Sequence, residues 1–507
     1  MHIERLGKCI SSKDCSTGVE TVSNSTTWEL VLFQEQASRK NTAALKSRLT
    51  AAWEAVLARS GIAAYMPIIV VAILMFCGAS WQIFWPSTDA ARYQCYALVF
   101  WLGSGAAQML PASQCAFLHA SALALPPFHM LPLEYPPLTL VIFSLSLLAP
   151  LPYYQLVFAM WMALTSVLIY WLLLRFGPRG AALTFALFAL VGAWATAEGR
   201  FDLVPAALTL LCVLAAERKH WTAAYIALAF GTLLKIYPLL LLPALFIAEQ
   251  QAAQRLYTPA EGMTLRSLPA ELWRALRGIG HWRWKNSLVF FGILIGVTAL
   301  FALLDFQGAV VSQLSYFAHR PVQIESSGST ILWIAAQFGH PAHVEFTFGS
   351  LNIVSALGNS VSLFFLAAFV LGYLYVTWLQ WRGKLDLVQS FIALLLVFMA
   401  TGKVFSPQYL IWLMPLLAYS NALDGFWLLF WGSISLLTTI IYPYLYTRTP
   451  NILAVQFVPG FVQAVAVRDA LFVLVTLAYL FNWFQVRKRK ALPAEPVGKA
   501  TRPLLES

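Results

Sequence analysis

The chain has 507 residues, 60% of them hydrophobic and only 11% charged, and its mean hydropathy is +0.70. Soluble domains carry about 25% charged residues, so the composition excludes a soluble globular enzyme and implies a polytopic helical membrane protein. The net charge of +11 would suit nucleic acid, but its distribution along the chain argues against that partner.

Residues 1–63 are polar and mixed in charge, lack a cleavage-type signal site, and read as a cytoplasmic extension with an amphipathic helix over 28–59. The membrane domain, 64–486, reads as about twelve crossings: 64–84, 153–175, 181–197, 201–216, 221–235, 237–248, 287–304, 351–379, 388–402, 407–419, 425–444 and 463–484. Between the first two lies a long outer loop, 85–152. Its run 136–150 is fifteen residues long with Pro at both ends, which predicts a re-entrant or interfacial helix instead of a crossing. An apolar insertion, 109–130, has no evident role. The spans around Ile236–Pro238 and after Pro407 are short enough to be half-helices, or to continue into their flanks. The loop 249–286 carries "WRALRGIGHWRWK", a Trp/Arg-rich interfacial anchor. The tail 487–507 is basic and suits anionic headgroups. No internal repeat of the transporter kind is visible.

Orientation follows from Lys and Arg. With the N-terminus inside, 26 of the 33 fall on cytoplasmic segments, and counting 136–150 as a crossing would turn the later basic loops outward. Both termini are therefore expected in the cytoplasm of a plasma-membrane protein, and no nucleic-acid partner is needed. The six cysteines form neither a metal motif nor a disulfide framework; Cys95 and Cys115 can pair if both face an oxidising outside.

Seven cations remain on the outer side: Arg92, Arg200, Lys235, Arg320, Lys403, Arg448 and Arg468. Arg448 and Arg468 suit helix-end snorkelling. The others stand beside Pro, Gly or Tyr in "STDAARYQCYA" (87–97), "AEGRFDLVPA" (197–206), "LLKIYPL" (233–239), "YFAHRPVQIESSGST" (316–330) and "GKVFSPQYLIW" (402–412), with "LEYPPLTL" (133–140) adding an acid. A lysine at the centre of a membrane helix costs roughly 2.5–3.5 kcal/mol. Irregular backbone at that depth is tolerated where it lines a cavity. Four cations around such a cavity, Arg200, Lys235, Arg320 and Lys403, suit a phosphate. The acids there are Asp89, Glu134, Asp202 and Glu325, and a lone carboxylate in such a site is a candidate general base. The purely structural alternative pairs Arg200 with Asp202, Arg320 with Glu325, and Lys235 with Asp202 or another acid.

The segments "EYPPLTLVIF", "GRFDLVPAALTLL…LLKIYPLLLLP", "HRPVQIESSGS" and "KVFSPQYLIWLMPLL" resemble bacterial members of glycosyltransferase family 87, over about residues 64–420. The resemblance implies an all-helical GT-C fold. It also implies a polyprenyl-phosphate sugar as donor, typically mannose-like, and a catalytic acid in the first outer loop, here Asp89. On that reading Asp89 deprotonates the acceptor, a glycolipid or glycan on the outer face, while Lys235, Arg200, Arg320 and Lys403 hold the donor phosphate. Glu134, Tyr135, Asp202, Tyr237, Glu325, Gln408 and Tyr409 are candidate substrate-lining residues. Single displacement inverts the anomeric centre; retention would need a second carboxylate as nucleophile, with Glu134 the candidate. Metal-binding GT-C enzymes often carry Asp-x-Asp, whereas "PSTDAA" offers Asp89 alone, so no metal cofactor is expected. A transporter or lipid flippase would also explain Lys235, but gives no reason for an acid in a long outer loop. An assembly subunit would leave Asp89 without a role.

Overall fold

The computed structural model describes residues 61–84, 88–118, 125–257 and 268–487. The chain divides into two compact units, 1–64 and 65–507. In the first only Gly61–Ala64 are described, in a short 3-10 helix that runs to Tyr65. The amphipathic helix read over 28–59, the centre of the 109–130 insertion and the tail beyond 487 lie outside the described residues.

Each of the twelve predicted crossings contains a helix. They are α1 (Met66–Phe84), α4 (Tyr154–Phe176), α5 (Ala181–Gly192), α6 (Leu203–Glu217), α7 (Trp221–Leu234), α8 (Leu242–Ala252), α10 (Lys285–Leu304), α13 (Gly358–Trp381), α14 (Leu387–Thr401), α15 (Tyr409–Ser420), α16 (Gly425–Thr439) and α17 (Phe461–Leu480). Between them lie α2 (Asp89–Leu102) and α3 (Thr139–Leu145) in the long loop after α1, α9 (Leu268–Arg277), α11 (Ser312–His319) and α12 (Ser327–Gln337). The 136–150 run is the short helix α3 with one 3-10 turn, Ser146–Leu148. Six helical stretches are long and apolar enough to cross a membrane: Gly61–Trp81, Leu151–Phe176, Lys285–Leu304, Gly358–Trp381, Gly425–Arg448 and Phe461–Leu480. This is a multi-pass membrane protein.

Why the remaining apolar helices are short is visible in their burial. In α15 and α14 nearly every side chain is buried, the pattern of a helix enclosed on all sides. The outer helices α10 and α13 instead leave Leu288, Ile295, Leu303, Leu363, Phe364 and Leu371 exposed, as a lipid-facing surface requires. α14 is started by a capping box in which Asp386 accepts from Gln389 N at 2.8 Å and the Gln389 side chain accepts from Asp386 N at 3.1 Å.

Two boundaries differ from the sequence reading. α5 ends at Gly192, so 193–202 is a run of turns leading into α6. The predicted span 351–379 opens with strand, because residues 342–355 fold back as a hairpin. The strands are β1 (Val322–Gln323), β2 (Ala342–Thr347) and β3 (Ser350–Ser355), antiparallel in the order β1-β3-β2. The hairpin turn is Phe348–Gly349, with φ of +52° and +68°, the left-handed pair that a tight two-residue hairpin needs.

Candidate active site

The predicted break after α7 places Lys235. The helix ends on it in an extended conformation (φ −149°, ψ 136°), and Pro238 follows two residues after Ile236 in a 3-10 turn, Tyr237–Leu241. Lys235 thus sits at a helix C-terminus, while Asp202 sits at the start of α6. Macrodipoles favour a cation at the first position and an anion at the second. The two side chains meet, Nζ to Oδ1 at 2.9 Å, with Asp202 fully buried. Trp412 Nε1 donates to the same Oδ1 at 2.6 Å, and the Lys235 ammonium stands 4.7 Å from the Phe201 ring and 5.6 Å from those of Tyr135 and Trp412.

Asp89 is placed by the loop between α1 and α4. Thr88 caps α2, accepting from Ala91 N at 3.4 Å, and Asp89 occupies the first helical position, where the dipole suits a carboxylate. α2 is fixed by Gln94 Nε2 donating to Leu151 O at 2.8 Å. It is further held by a Cys95–Cys115 disulfide and by Tyr93 stacked on Phe143 at 4.2 Å. Asp89 Oδ2 lies 2.7 Å from Arg200 Nη2, and Oδ1 is 3.8 Å from Arg92 Nη1. Arg92 continues to Glu134 through a close hydrogen-bonded ion pair, and Arg200 continues to Gln408 and Ser406. Of the sequence-expected pairs, Lys235–Asp202 forms, whereas Arg200–Asp202 and Arg320–Glu325 are replaced. Arg200 and Asp202 are two apart on a turn, where side chains diverge, and each takes a partner from another segment. Glu325 turns away from Arg320 into the membrane domain, where Arg468 Nη1 donates to it at 3.2 Å and Tyr446 Oη at 2.8 Å.

Arg468 corrects a second expectation. It is fully buried and does not snorkel: it also grips Asp469 Oδ1 at 2.9 Å and lies 4.2 Å over the Phe405 ring. Arg448 is exposed, as a helix-end cation should be, and sits 4.3 Å over Tyr444.

Arg320 and Lys403 complete the cluster. Gln323 N donates to Lys403 O at 2.8 Å, tying their two segments together. Arg320 Nη2 donates to Ser350 Oγ at 2.8 Å, and its Nε has no hydrogen bond. Among the described residues neither Arg320 nor Lys403 has an acid within salt-bridge distance. Burial and the neighbouring Arg320 push the Lys403 ammonium below its usual range. Burial also pushes the Glu134 carboxyl up, against the pull of Arg92. The hairpin tip closes one side: a Cβ on Gly349 would meet Glu134 Oε1 at 2.8 Å and Arg92 Nη1 at 3.0 Å.

Asp89, Glu134, Arg200, Asp202, Lys235, Arg320, Lys403 and Gln408 are thus gathered into one cluster. Glu325 belongs to the neighbouring Arg468 network. Tyr135 and Tyr409 are half-buried beside the cluster; Tyr237 is packing, its ring stacked on Trp412 at 4.2 Å and its hydroxyl 3.0 Å from Thr209 Oγ1. The sequence reading missed Arg92 as a partner of Asp89, although an i,i+3 pair on a helix is a usable signal. It also missed Trp412 and Glu198. Among the described residues no three His, Cys, Asp or Glu side chains are grouped to hold a metal ion.

No family model matches the sequence, and no curated protein matches it. The resemblance to glycosyltransferase family 87 therefore rests on the motifs alone. Among solved structures the chain is similar to ArnT from Cupriavidus metallidurans in the apo state, at 15% identity over 82% of this chain and 77% of that one. The TM-score of that match is 0.33, too low to carry fold or chemistry across.

Proposed function

We propose that the protein is a membrane glycosyltransferase that moves a sugar, mannose-like in class, from a polyprenyl-phosphate donor to a glycolipid or glycan hydroxyl at the outer face. The observation that carries this reading is the charge balance of the cluster. Asp89 and Glu134 offset Arg200 and Arg92, and Asp202 offsets Lys235. Arg320 and Lys403 are left as two uncompensated cations held close together. A sugar phosphodiester carries one negative charge, and the polyprenyl phosphate that leaves carries up to two. A site with two spare positive charges stabilises the departing group more than the bound donor, which is what lowers a barrier.

In the step proposed, the acceptor oxygen attacks the anomeric carbon and the bond from that carbon to the phosphate oxygen breaks. The bonding pair leaves with the phosphate, toward Arg320 and Lys403, and the acceptor proton passes to Asp89. Arg200 orients the Asp89 carboxylate through Oδ2 and leaves Oδ1 less tightly held. Single displacement inverts the centre. Lys235, held by Asp202, adds its field to the phosphate side. The test is Asp89→Asn assayed for transfer from a polyprenyl-phosphate mannose in purified proteoliposomes. Transfer should fall about 10²–10⁴-fold, the range for a general base, while donor binding persists. Transfer near wild type would remove Asp89 from the chemistry.

A further inference from the structure

At the opposite end of α7 from Lys235, a cavity of about 710 Å³ opens between the Lys219–Thr222 turn, the end of α8 and the start of α10. α7 has 14 residues, so at 1.5 Å per residue the cavity lies roughly 20 Å from the Asp89 cluster and serves no step of the proposed transfer. Its volume is in the range of small-molecule sites, about 300–1,000 Å³.

The walls are built and not merely left open. Gln250 and Arg283 clasp each other, Arg283 N donating to Gln250 Oε1 at 2.8 Å and Gln250 Nε2 to Arg283 O at 3.2 Å. Thr222 Oγ1 donates to Asn286 Oδ1 at 2.8 Å, and Asn286 Nδ2 donates to Glu249 Oε1 at 2.7 Å. These bonds bring the N-termini of α7 and α10 to one rim, and neither is capped by a side chain. Uncapped N-termini present free N–H groups and a partial positive charge. Lys219, His220, Arg283 and Lys285 are exposed around the same rim. Arg218 is not part of it, being spent on Leu214 O at 2.7 Å and on the Phe176 ring. On the floor is Glu249, 1% exposed, with the Tyr225 hydroxyl beside its carboxylate and Oε2 making no hydrogen bond of normal geometry. Phe246, Trp282 and Trp284 cluster beside the opening, with centroids 5.1–5.8 Å apart. Aromatics of this kind settle at the membrane interface.

We infer that this cavity is an anion site for a phosphate ester whose neighbouring group, a hydroxyl or ammonium, donates to Glu249. The cationic rim and the two helix N-termini hold the phosphate; the buried carboxylate selects an ester over inorganic phosphate. A phospholipid headgroup and a free organophosphate share that chemistry. Basic pockets between membrane helices near the surface are suited to the first.

The full-length protein in detergent separates these sources. Its unfolding midpoint is measured with phosphatidylglycerol in mixed micelles, with glycerol 3-phosphate and with inorganic phosphate, and bound lipid is counted by native mass spectrometry. One ester-bearing probe should raise the midpoint, and Arg283→Gln/Lys285→Gln should weaken its apparent affinity at least tenfold. Lys219→Gln, on an exposed turn, is the second variant should the double change impair folding. Protection by phosphatidylglycerol alone assigns the site to lipid; equal protection by glycerol 3-phosphate assigns it to a soluble ester. Glu249→Gln should reduce the preference for ester over inorganic phosphate. Equal protection of wild type and charge variants, no protection by any probe, or inorganic phosphate matching both esters would overturn the assignment.

Discussion

Lys235 and Asp202 hold each other where neither has another full counter-charge, and that dependence can be measured. Removing one member of a buried ion pair costs about 3–5 kcal/mol, because the abandoned charge stays out of water. Lys235→Met should therefore lower the unfolding midpoint of the donor-free protein, and adding Asp202→Leu should recover part of the loss. Unchanged stability of Lys235→Met, with weakened donor binding, would assign the lysine to the phosphate alone. Glu198 makes the opposite case. It is fully buried in the turn before α6, both carboxyl oxygens lack hydrogen-bond partners, and burial pushes its pKa up to about 8. The folded protein thus holds a proton that the unfolded chain releases near pH 4.3. Stability falls as pH rises from that value through about 8, because the native state binds more protons across the window. Glu198→Gln cannot ionise. Its midpoint should match wild type near pH 4 and exceed it by a margin that grows up to about pH 8 and then levels off. Parallel profiles for the two proteins would show that Glu198 is not held protonated.

At the scale of elements, the long apolar runs were readable because each crossing must satisfy its own backbone in one stretch, which leaves a continuous signal. The break at Lys235 was readable for a related reason: a charge followed by Pro cannot continue an apolar helix. The hairpin was not readable. "AHVEFT" alternates as a strand does, but "LNIVSALG" runs on into the apolar span of α13 and reads as its first turn. Lys235–Asp202 was matched across two segments and forms. Arg200–Asp202 and Arg320–Glu325 were misassigned because near neighbours in sequence were matched, whereas Asp89, Arg200 and Gln408 meet only after three distant segments pack together. The hairpin matters to the site through its tip. Gly349 has φ +68°, and a side chain there would press on both members of the Arg92–Glu134 pair. Gly349→Ala should leave the helical bundle intact and yet slow transfer about tenfold or more, by displacing Arg92 and with it the second contact on Asp89. Transfer at the wild-type rate in a stably folded Gly349→Ala protein would detach the hairpin from catalysis.

For the whole molecule the question is which end of the bundle faces out. The Asp89 cluster and the Lys219–Lys285 cavity lie at opposite ends of α7, so fixing one side fixes both. Two independent observations agree. Lys and Arg concentrate on the loops at the cavity end, as cytoplasmic loops do, and the Cys95–Cys115 bond lies at the cluster end. Disulfides persist in oxidising compartments and are rare in the cytosol. The charge distribution reflects membrane insertion and the disulfide reflects redox environment, two separate physical causes. Single cysteines at Glu345 in β2 and at Arg277 in α9, both exposed, test the result in a background whose unpaired cysteines are replaced by serine. An impermeant maleimide should label position 345 in intact cells, and position 277 only after the membrane is opened. The reverse pattern would put Asp89 in the cytoplasm, where Cys95 and Cys115 would be kept reduced and an outer-face acceptor would be out of reach.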